Sequence, residues 1–461
     1  MARVAVENSS RPSAAREAFE QAAALHDAGK FAEAETLLRG AVAASPAHPG
    51  LLNARGVMLA AMGRHAEAVA CYREALGYDS GLQGTWTNLG NALTKLNHLH
   101  AAISCHRRAV GLSRDDDPWL YHNLGISLAE AGQLGEAILS FTRALDIKPD
   151  CHMAKWDRAR AYLYLGNYRQ GWADYEVRKV TGQLPPRRLP GSEWDGQPYS
   201  AQRLVLASEQ GFGDMLWVAR YLPHVKALGG ELVIECRPEL LSLIESMGVA
   251  DRLIPRGDPL PDADLHCYVC SLPRLFTPDR ASIPTQPYLR APRQRGATLL
   301  APFARAGGKH RVGIVWSGSV TFENNHRRAQ RLARFVQAFA LPGVQLYSLQ
   351  KGEPAAELRT VAAHPPIIDV APFIGDFADT AAAVAQLDLV IMTDSAVAHL
   401  AGALGKPVWL LLGHNAHWLW LREGSDSPWY PSLRLFRPRA EGDWDHVFDM
   451  ASAELLKMTD A

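Results

Sequence analysis

LDLVIMTDSAVAHLAGALGKPVWLLLG, residues 387–413, reads as a strand, a helix and a second strand in one unit. Leu389 to Met392 is an apolar run of strand length, and Thr393-Asp394-Ser395 supplies polar caps where a helix begins. Ala396 to Leu404 carries small and apolar residues, closed by Gly405 and a proline two residues on, before the next apolar run, Val408 to Leu412. Such a unit sets the free N–H groups of a helix N-terminus just beyond the carboxyl end of a parallel strand, where the macrodipole favours an anion. A phosphate is the expected occupant.

The same alternation extends upstream. Leu204 to Ala207 reads as a strand, Asp214 to Ala227 as a helix, Leu232 to Glu235 as a strand, Pro238 to Met247 as a helix and Ala263 to Val269 as a strand. After a connection rich in Pro and Arg, the cycle restarts at Val312 to Trp316 and runs through Val344 to Leu349 and Ile367 to Val370. Two βα series imply two Rossmann-like doubly wound domains, residues 203–305 and 306–461, facing each other across a cleft.

The first third of the chain has another period. After a polar tail, residues 1–14, the segments starting at Gly29, Gly63, Asn97 and Gly132 align in steps of 34, 34 and 35. Each has an alanine five residues on (Ala34, Ala68, Ala102, Ala137) and a bulky residue four later (Leu38, Tyr72, His106, Phe141). This is the tetratricopeptide period, with Trp86-x-x-Leu89-Gly90 and Tyr121-x-x-Leu124-Gly125 as first-helix signatures. Residues 15–180 are therefore expected to form a helical solenoid whose groove binds peptide or protein. His98, His100 and His106 are read as a solvated helix face rather than as metal ligands. Residues 181–202, rich in Pro and Gly, read as a linker, with Trp194 pinning it to one domain.

Composition narrows the partners. Lys plus Arg and Asp plus Glu are equal at 48 each, so no net field draws the chain to nucleic acid or membrane. No apolar run reaches transmembrane or signal-peptide length, and six cysteines make no disulfide framework, so a cytoplasmic location is expected. Cys267-x-x-Cys270 has no redox context.

TDSAVAHLAGALGKPVW, residues 393–409, resembles the signature of family 9 glycosyltransferases, the heptosyltransferase group, where this helix meets the donor diphosphate. The whole chain, through DSPWYPSLRLFR at 426–437, looks like bacterial proteins that join tetratricopeptide repeats to such a domain. The resemblance implies a GT-B architecture, a nucleotide-sugar co-substrate with no resident cofactor, and transfer to an acceptor that the repeats recruit. In that family the loop matching SEQGFGD, 208–214, ends in the base that deprotonates the acceptor, a role that falls on Asp214; a helix cap is the competing account. Gly211 and Gly213 leave room for a ligand. A G-x-G after a strand, with Glu235 downstream, also suits a nicotinamide dinucleotide, but Leu216 stands at the third glycine position.

On the donor side, Ser317 and the Asn325-His-Arg-Arg-Ala329 segment suit a pyrophosphate through Arg327 or Arg328. Relatives read N-R-x-R-S there, so His326 and Ala329 depart from the pattern. Gln350 and Lys351 are expected to bracket the nucleotide, and Asp376, Asp394, Ser395, Ala396 and His399 to contact the donor. The pairs Asp262/Asp264 and Asp443/Asp445 do not follow strand ends, so arginine and helix dipole, rather than a divalent ion, are expected to meet the phosphate charge. The alternative is an inactive repeat-based scaffold with a degenerate transferase domain.

Overall fold

A turn between paired helices needs a residue at positive φ, and the repeat period puts one there each time: Gly29, Gly63, Asn97 and Gly132 all have φ between 59° and 77°. The computed structural model describes residues 14–459 except 114–115, 183, 185, 210 and 293–296, so the polar tail up to residue 13 lies outside the described residues. Each turn joins two helices, as in Pro49–Ala61 with His65–Tyr78 and Pro118–Glu130 with Leu134–Ile147. Ala34, Ala68, Ala102 and Ala137 are wholly buried where helices meet. A side chain at Gly56, Gly90 or Gly125 would collide with the ring of Tyr72, His106 or Phe141 of the same repeat, which is why glycine recurs there.

His106 departs from expectation. It is not on a solvated face but takes the core position held by leucine, tyrosine or phenylalanine elsewhere. Its Nδ1 bonds to Ser127 Oγ at 2.9 Å and its Nε2 to Asn91 Oδ1 at 3.2 Å. Burial pushes its imidazole down to about 4, so it sits there neutral.

The chain divides into two compact units, Met1–Ala161 and Tyr162–Ala461. The division falls earlier than residue 180 because the last helix of the repeat pattern, Tyr168–Tyr175, turns its aromatic side chains into the α/β core. Trp172 lies 5.9 Å from Trp217 and 5.3 Å from Trp418, ring centre to ring centre.

The second unit holds two parallel sheets. In the first, β1 (Ser192–Glu193), β2 (Arg203–Ala207), β3 (Glu231–Cys236), β4 (Arg252–Pro255) and β5 (Leu265–Tyr268) lie in the order β1-β5-β2-β3-β4. The second contains β6 (His310–Val315), β7 (Val344–Ser348), β8 (Ile368–Asp369), β9 (Leu389–Thr393), β10 (Val408–Leu411) and β11 (Leu433–Phe436), ordered β11-β10-β9-β6-β7-β8. Read from β8, that is the 3-2-1-4-5-6 order of a dinucleotide-type fold, with its switch point between β6 and β9. The first sheet has the same 3-2-1-4 core, switching between β2 and β5. The strands missing from the sequence reading, β1, β4 and β11, are all edge strands, whose short runs carry little apolar signal. β1 arises inside the expected linker by pairing with β5, Ser192 opposite Leu265. Trp194 behind it is buried and donates to Gln197 O at 2.8 Å.

One apolar core runs between the sheets, from Leu204 and Leu216 to Val390 and Leu400, and a second fills the far face of the second sheet. No helix among the described residues is long and apolar enough to cross a membrane.

Candidate functional site

The two switch points meet. Beyond β2 the chain turns through Gly211 into the Phe212–Val218 helix, and beyond β9 it enters the Ala396–Ala403 helix. A Cβ on Gly213 would stand 3.1 Å from His399 Cδ2 and 3.9 Å from Ala396 Cα, so only glycine lets the two helix starts approach this closely. Phe212 and Phe377 close one side, ring centres 4.9 Å apart. Gly213 thus lies against Ala396 and His399.

Asp214 is the third residue of its helix and caps it from there, as the competing account expected, through the N-cap backbone rather than as the N-cap itself. Its Oδ2 accepts the Gly211 N–H at 2.9 Å. Burial pushes its carboxyl up to about 6, with Glu209 adding to the rise while Gly211, Arg178 and Arg237 oppose it. A carboxylate titrating there is a competent base near neutrality.

The other strand ends of the first sheet are filled by the chain itself. Glu235 is fully buried and accepts Ser208 N at 2.9 Å and a two-pronged Arg187 at 2.8 and 2.9 Å. A nicotinamide ribose would need that carboxylate, so the dinucleotide reading loses its acid. Glu209 likewise accepts both prongs of buried Arg178, at 2.9 and 2.8 Å, and Cys270 N at 3.0 Å across the switch point. Cys267 and Cys270 are free and buried, and burial raises both thiols, Cys267 to about 12.

The second sheet is organised differently. Gln350 does not face a ligand: its Oε1 accepts Trp316 N at 3.0 Å and Ser317 N at 2.9 Å, and its Nε2 donates to Ser317 O and Lys351 O. It straps β6 to β7. Lys351 is exposed and its ammonium donates to Ile374 O. Asp376 caps the Phe377–Ala385 helix, accepting Asp379 N at 2.8 Å. Ser317 is buried, with Asn325 Nδ2 on its hydroxyl at 3.0 Å. Arg327 and His326 are exposed, whereas Arg328 lies under Phe322 at 4.5 Å and reaches 3.8 Å from Asp394, bridging the ends of β6 and β9. Burial raises the Asp394 carboxyl, which Arg328 and the neighbouring Trp420 indole pull back.

At that bridge hydrogen bonding is incomplete. Ser395 is the N-cap of the Ala396–Ala403 helix, yet its side chain makes no cap bond. Its Oγ and Thr393 Oγ1 are buried without partners, while the Trp420 indole is directed at the Asp394 carboxyl. Trp420 stacks on His399 at 5.1 Å. Buried polar atoms are ordinarily satisfied, so two unmet hydroxyls, one on each side of Asp394 at an uncapped helix start, suit a hydrogen-bonding ligand. Trp420 was not among the expected contacts; the tryptophan-rich tail was its signal. Arg178, Glu209 and Arg187 carried none, because a buried arginine reads in sequence like any surface arginine.

Asp262 and Asp264 lie at the amino ends of the strands, where Asp264 Oδ2 accepts Arg203 N, and Asp445 pairs with Arg334. No group of three or more His, Cys, Asp or Glu among the described residues is set to hold a metal. Two surface hollows, lined by Arg434, Arg437 and Glu454 and by Arg203, Glu231 and Asp262, lie away from the bridge.

Residues 20–81 and 122–176 match one tetratricopeptide-repeat family model and 84–116 another. The first unit thus contains such repeats. Protein FlbA of Caulobacter vibrioides is 29% identical over 371 residues, covering 73% of this chain and 61% of that protein. Because the first unit is about a third of the chain, this likeness extends into the second; the chain spans less than two thirds of FlbA. Among solved structures, MamA of Desulfovibrio magneticus RS-1 is 17% identical with a TM-score of 0.34, covering 37% of this chain and 98% of that one. Pseudomonas aeruginosa PilF is 19% identical with a TM-score of 0.34, covering 37% and 78%.

Proposed function

We propose that the Tyr162–Ala461 unit is a glycosyltransferase of GT-B type that uses a nucleotide-activated sugar, and that the repeats recruit a protein as its acceptor. The observation that carries this reading is the pair of unpartnered buried hydroxyls of Thr393 and Ser395 at an uncapped helix start, which the Gly213 turn beside Asp214, a carboxyl raised to about 6, approaches closely.

In this reading Asp214 takes the proton of an acceptor hydroxyl as its oxygen attacks the anomeric carbon. The bond from that carbon to the donor diphosphate breaks, and the departing nucleoside diphosphate keeps the electron pair. Its growing charge is met by Arg328 and by the first-turn N–H groups after Ser395. Asp394, a carboxylate, suits a sugar or ribose hydroxyl better than a phosphate. Repeat arrays of this kind offer a concave face to a polypeptide, which supports a protein acceptor.

One observation favours an inactive scaffold instead: the first sheet's strand ends are occupied by Arg187 and Arg178, where an acceptor would approach. Titration calorimetry with a panel of nucleotide sugars, followed by an assay for donor hydrolysis, separates the two. Binding and slow hydrolysis are expected; neither would be seen with a scaffold.

A further inference from the structure

Behind His399 lies a charge that the transfer chemistry leaves unused. Arg220 is 1% exposed, and no carboxylate pairs with it among the described residues. Its Nε donates to Trp217 O at 2.9 Å, and its Nη1 to Trp429 O at 2.9 Å and Pro284 O at 3.2 Å. Its Nη2 donates to Tyr288 OH at 3.4 Å, and the guanidinium carbon lies 4.6 Å from the Tyr430 ring centre. A buried cation without an acid is costly, so its field must act on whatever dipoles surround it.

Those dipoles form a chain that ends on His399. Tyr288 donates its hydroxyl proton to Leu216 O at 2.8 Å and takes the proton that Arg220 offers. Tyr430 OH then has two neighbours, Tyr288 OH at 3.3 Å and His399 Nδ1 at 3.0 Å. The shorter contact is to His399, and the guanidinium turns the hydroxyl proton away from itself, toward the imidazole. With the hydroxyl so turned, Nδ1 accepts and the ring proton is on Nε2; the opposite order, Nδ1–H to Tyr430 and Tyr430 to Tyr288, is the one the tautomer measurement discriminates against. That nitrogen faces the Gly213 turn, 3.6 Å from where a glycine Cβ would stand.

We propose that Tyr430, oriented by Arg220, is a positioning residue that locks His399 as a neutral Nε2–H donor, presented beside the Gly213 turn to a phosphate oxygen of the donor. This rests on the donor reading above. Burial, with His417, Arg220 and Arg328 nearby, holds the imidazole down to about 3, so the ring stays neutral. Asp394, next to the same helix start, meets Arg328 at 3.8 Å, and no other carboxylate pairs with the ring among the described residues. A neutral imidazole with its tautomer imposed from behind donates one hydrogen bond without bringing a charge that titrates near neutrality.

The test uses the full-length chain with 15N-labelled histidine. The wild type should show His399 as the Nε2–H tautomer, unprotonated at pH 5.5, and Tyr430→Phe should show a mixture of tautomers with an unchanged melting profile. Calorimetry at pH 8 with ADP, GDP, UDP and CDP then reads the consequence. For whichever nucleotide binds, Tyr430→Phe should weaken binding about tenfold, the order expected for a lost hydrogen bond to a charged group. His399→Gln, whose amide nitrogen can stand in for Nε2, should retain most of the affinity, and His399→Asn, which replaces only Nδ1, should lose it. An Nδ1–H tautomer in the wild type, or a His399 that titrates near 6.5, overturns the proposal; so does Tyr430→Phe with tautomer and affinity unmoved. If the Nε2–H signal is present but none of the four nucleotides binds, the donor reading and the ligand role of His399 fall together, while the tautomer lock stands on the spectrum.

Discussion

The two parallel sheets of the second unit share a strand order around their switch points, yet their carboxyl ends are finished in opposite ways. In the first sheet the polar groups answer one another: Arg187 with Glu235, Arg178 with Glu209, Cys270 N with Glu209. In the second, Arg328 and Asp394 stand 3.8 Å apart, and the Thr393 and Ser395 hydroxyls on either side of Asp394 lack partners. Topology brings strand ends and a helix start together at both, but only at the second are hydroxyls left without an internal partner. The exception within the first sheet is Asp214, whose carboxyl is raised to about 6 although it accepts the Gly211 N–H.

The largest expected effect breaks the comparison at that exception. Asp214→Asn should cut donor-dependent sugar transfer by about 10²–10⁴-fold, the span of general-base catalysis, with circular dichroism unchanged; full turnover would remove Asp214 from the chemistry.

Next come the two arginines, which should fail in different ways. Arg187→Met leaves buried Glu235 without its ion partner, so denaturant titration should show a loss on the order of 3 kcal/mol, with nucleotide affinity little changed. Arg328→Met should do the reverse, weakening nucleotide binding by about tenfold or more while stability holds. A stability loss in both would mean that the second switch point is scaffold like the first.

A smaller effect concerns pH. The Asp214 carboxyl, raised from 3.8 to about 6, holds its proton more tightly folded than unfolded. Its ionised form therefore costs stability above about pH 6 and nothing below about pH 4. Asp214→Asn should raise the melting temperature at pH 8, by an amount on the order of 2 kcal/mol, and leave it unchanged near pH 3.5. Transfer by the wild type should rise as pH climbs through about 6. The smallest effect is Ser395→Ala. Loss of an N-cap ordinarily costs ~1 kcal/mol, but this side chain caps nothing, so thermal melts should barely move while nucleotide affinity drops a few-fold.

Much of this was legible beforehand. The repeats announced themselves through left-handed turn positions and buried alanines, and the strand-helix-strand unit at 387–413 formed within a residue or so of its expected bounds. What misled was local chemistry with two readings. Gln350 has the composition of a ligand contact but serves as a strap, Asp376 could be read as contact or cap and caps a helix, and His106 reads as solvated yet packs as an aromatic. Nothing in sequence separates these, because the same donor serves a backbone or a ligand equally well.

The order of residues by itself determined the elements: glycine spacing, apolar periodicity and cap residues act over a few positions, and their energetics need no distant partner. Only the folded chain decided which charges cancel and which stay open. Arg187 finds Glu235 across 48 residues, Arg220 finds Trp429 across 209, and Gly213 finds His399 only after two sheets have packed. Desolvation sets the raised carboxyl of Asp214 and the neutral ring of His399, and it arises from everything that surrounds a group rather than from its neighbours along the chain.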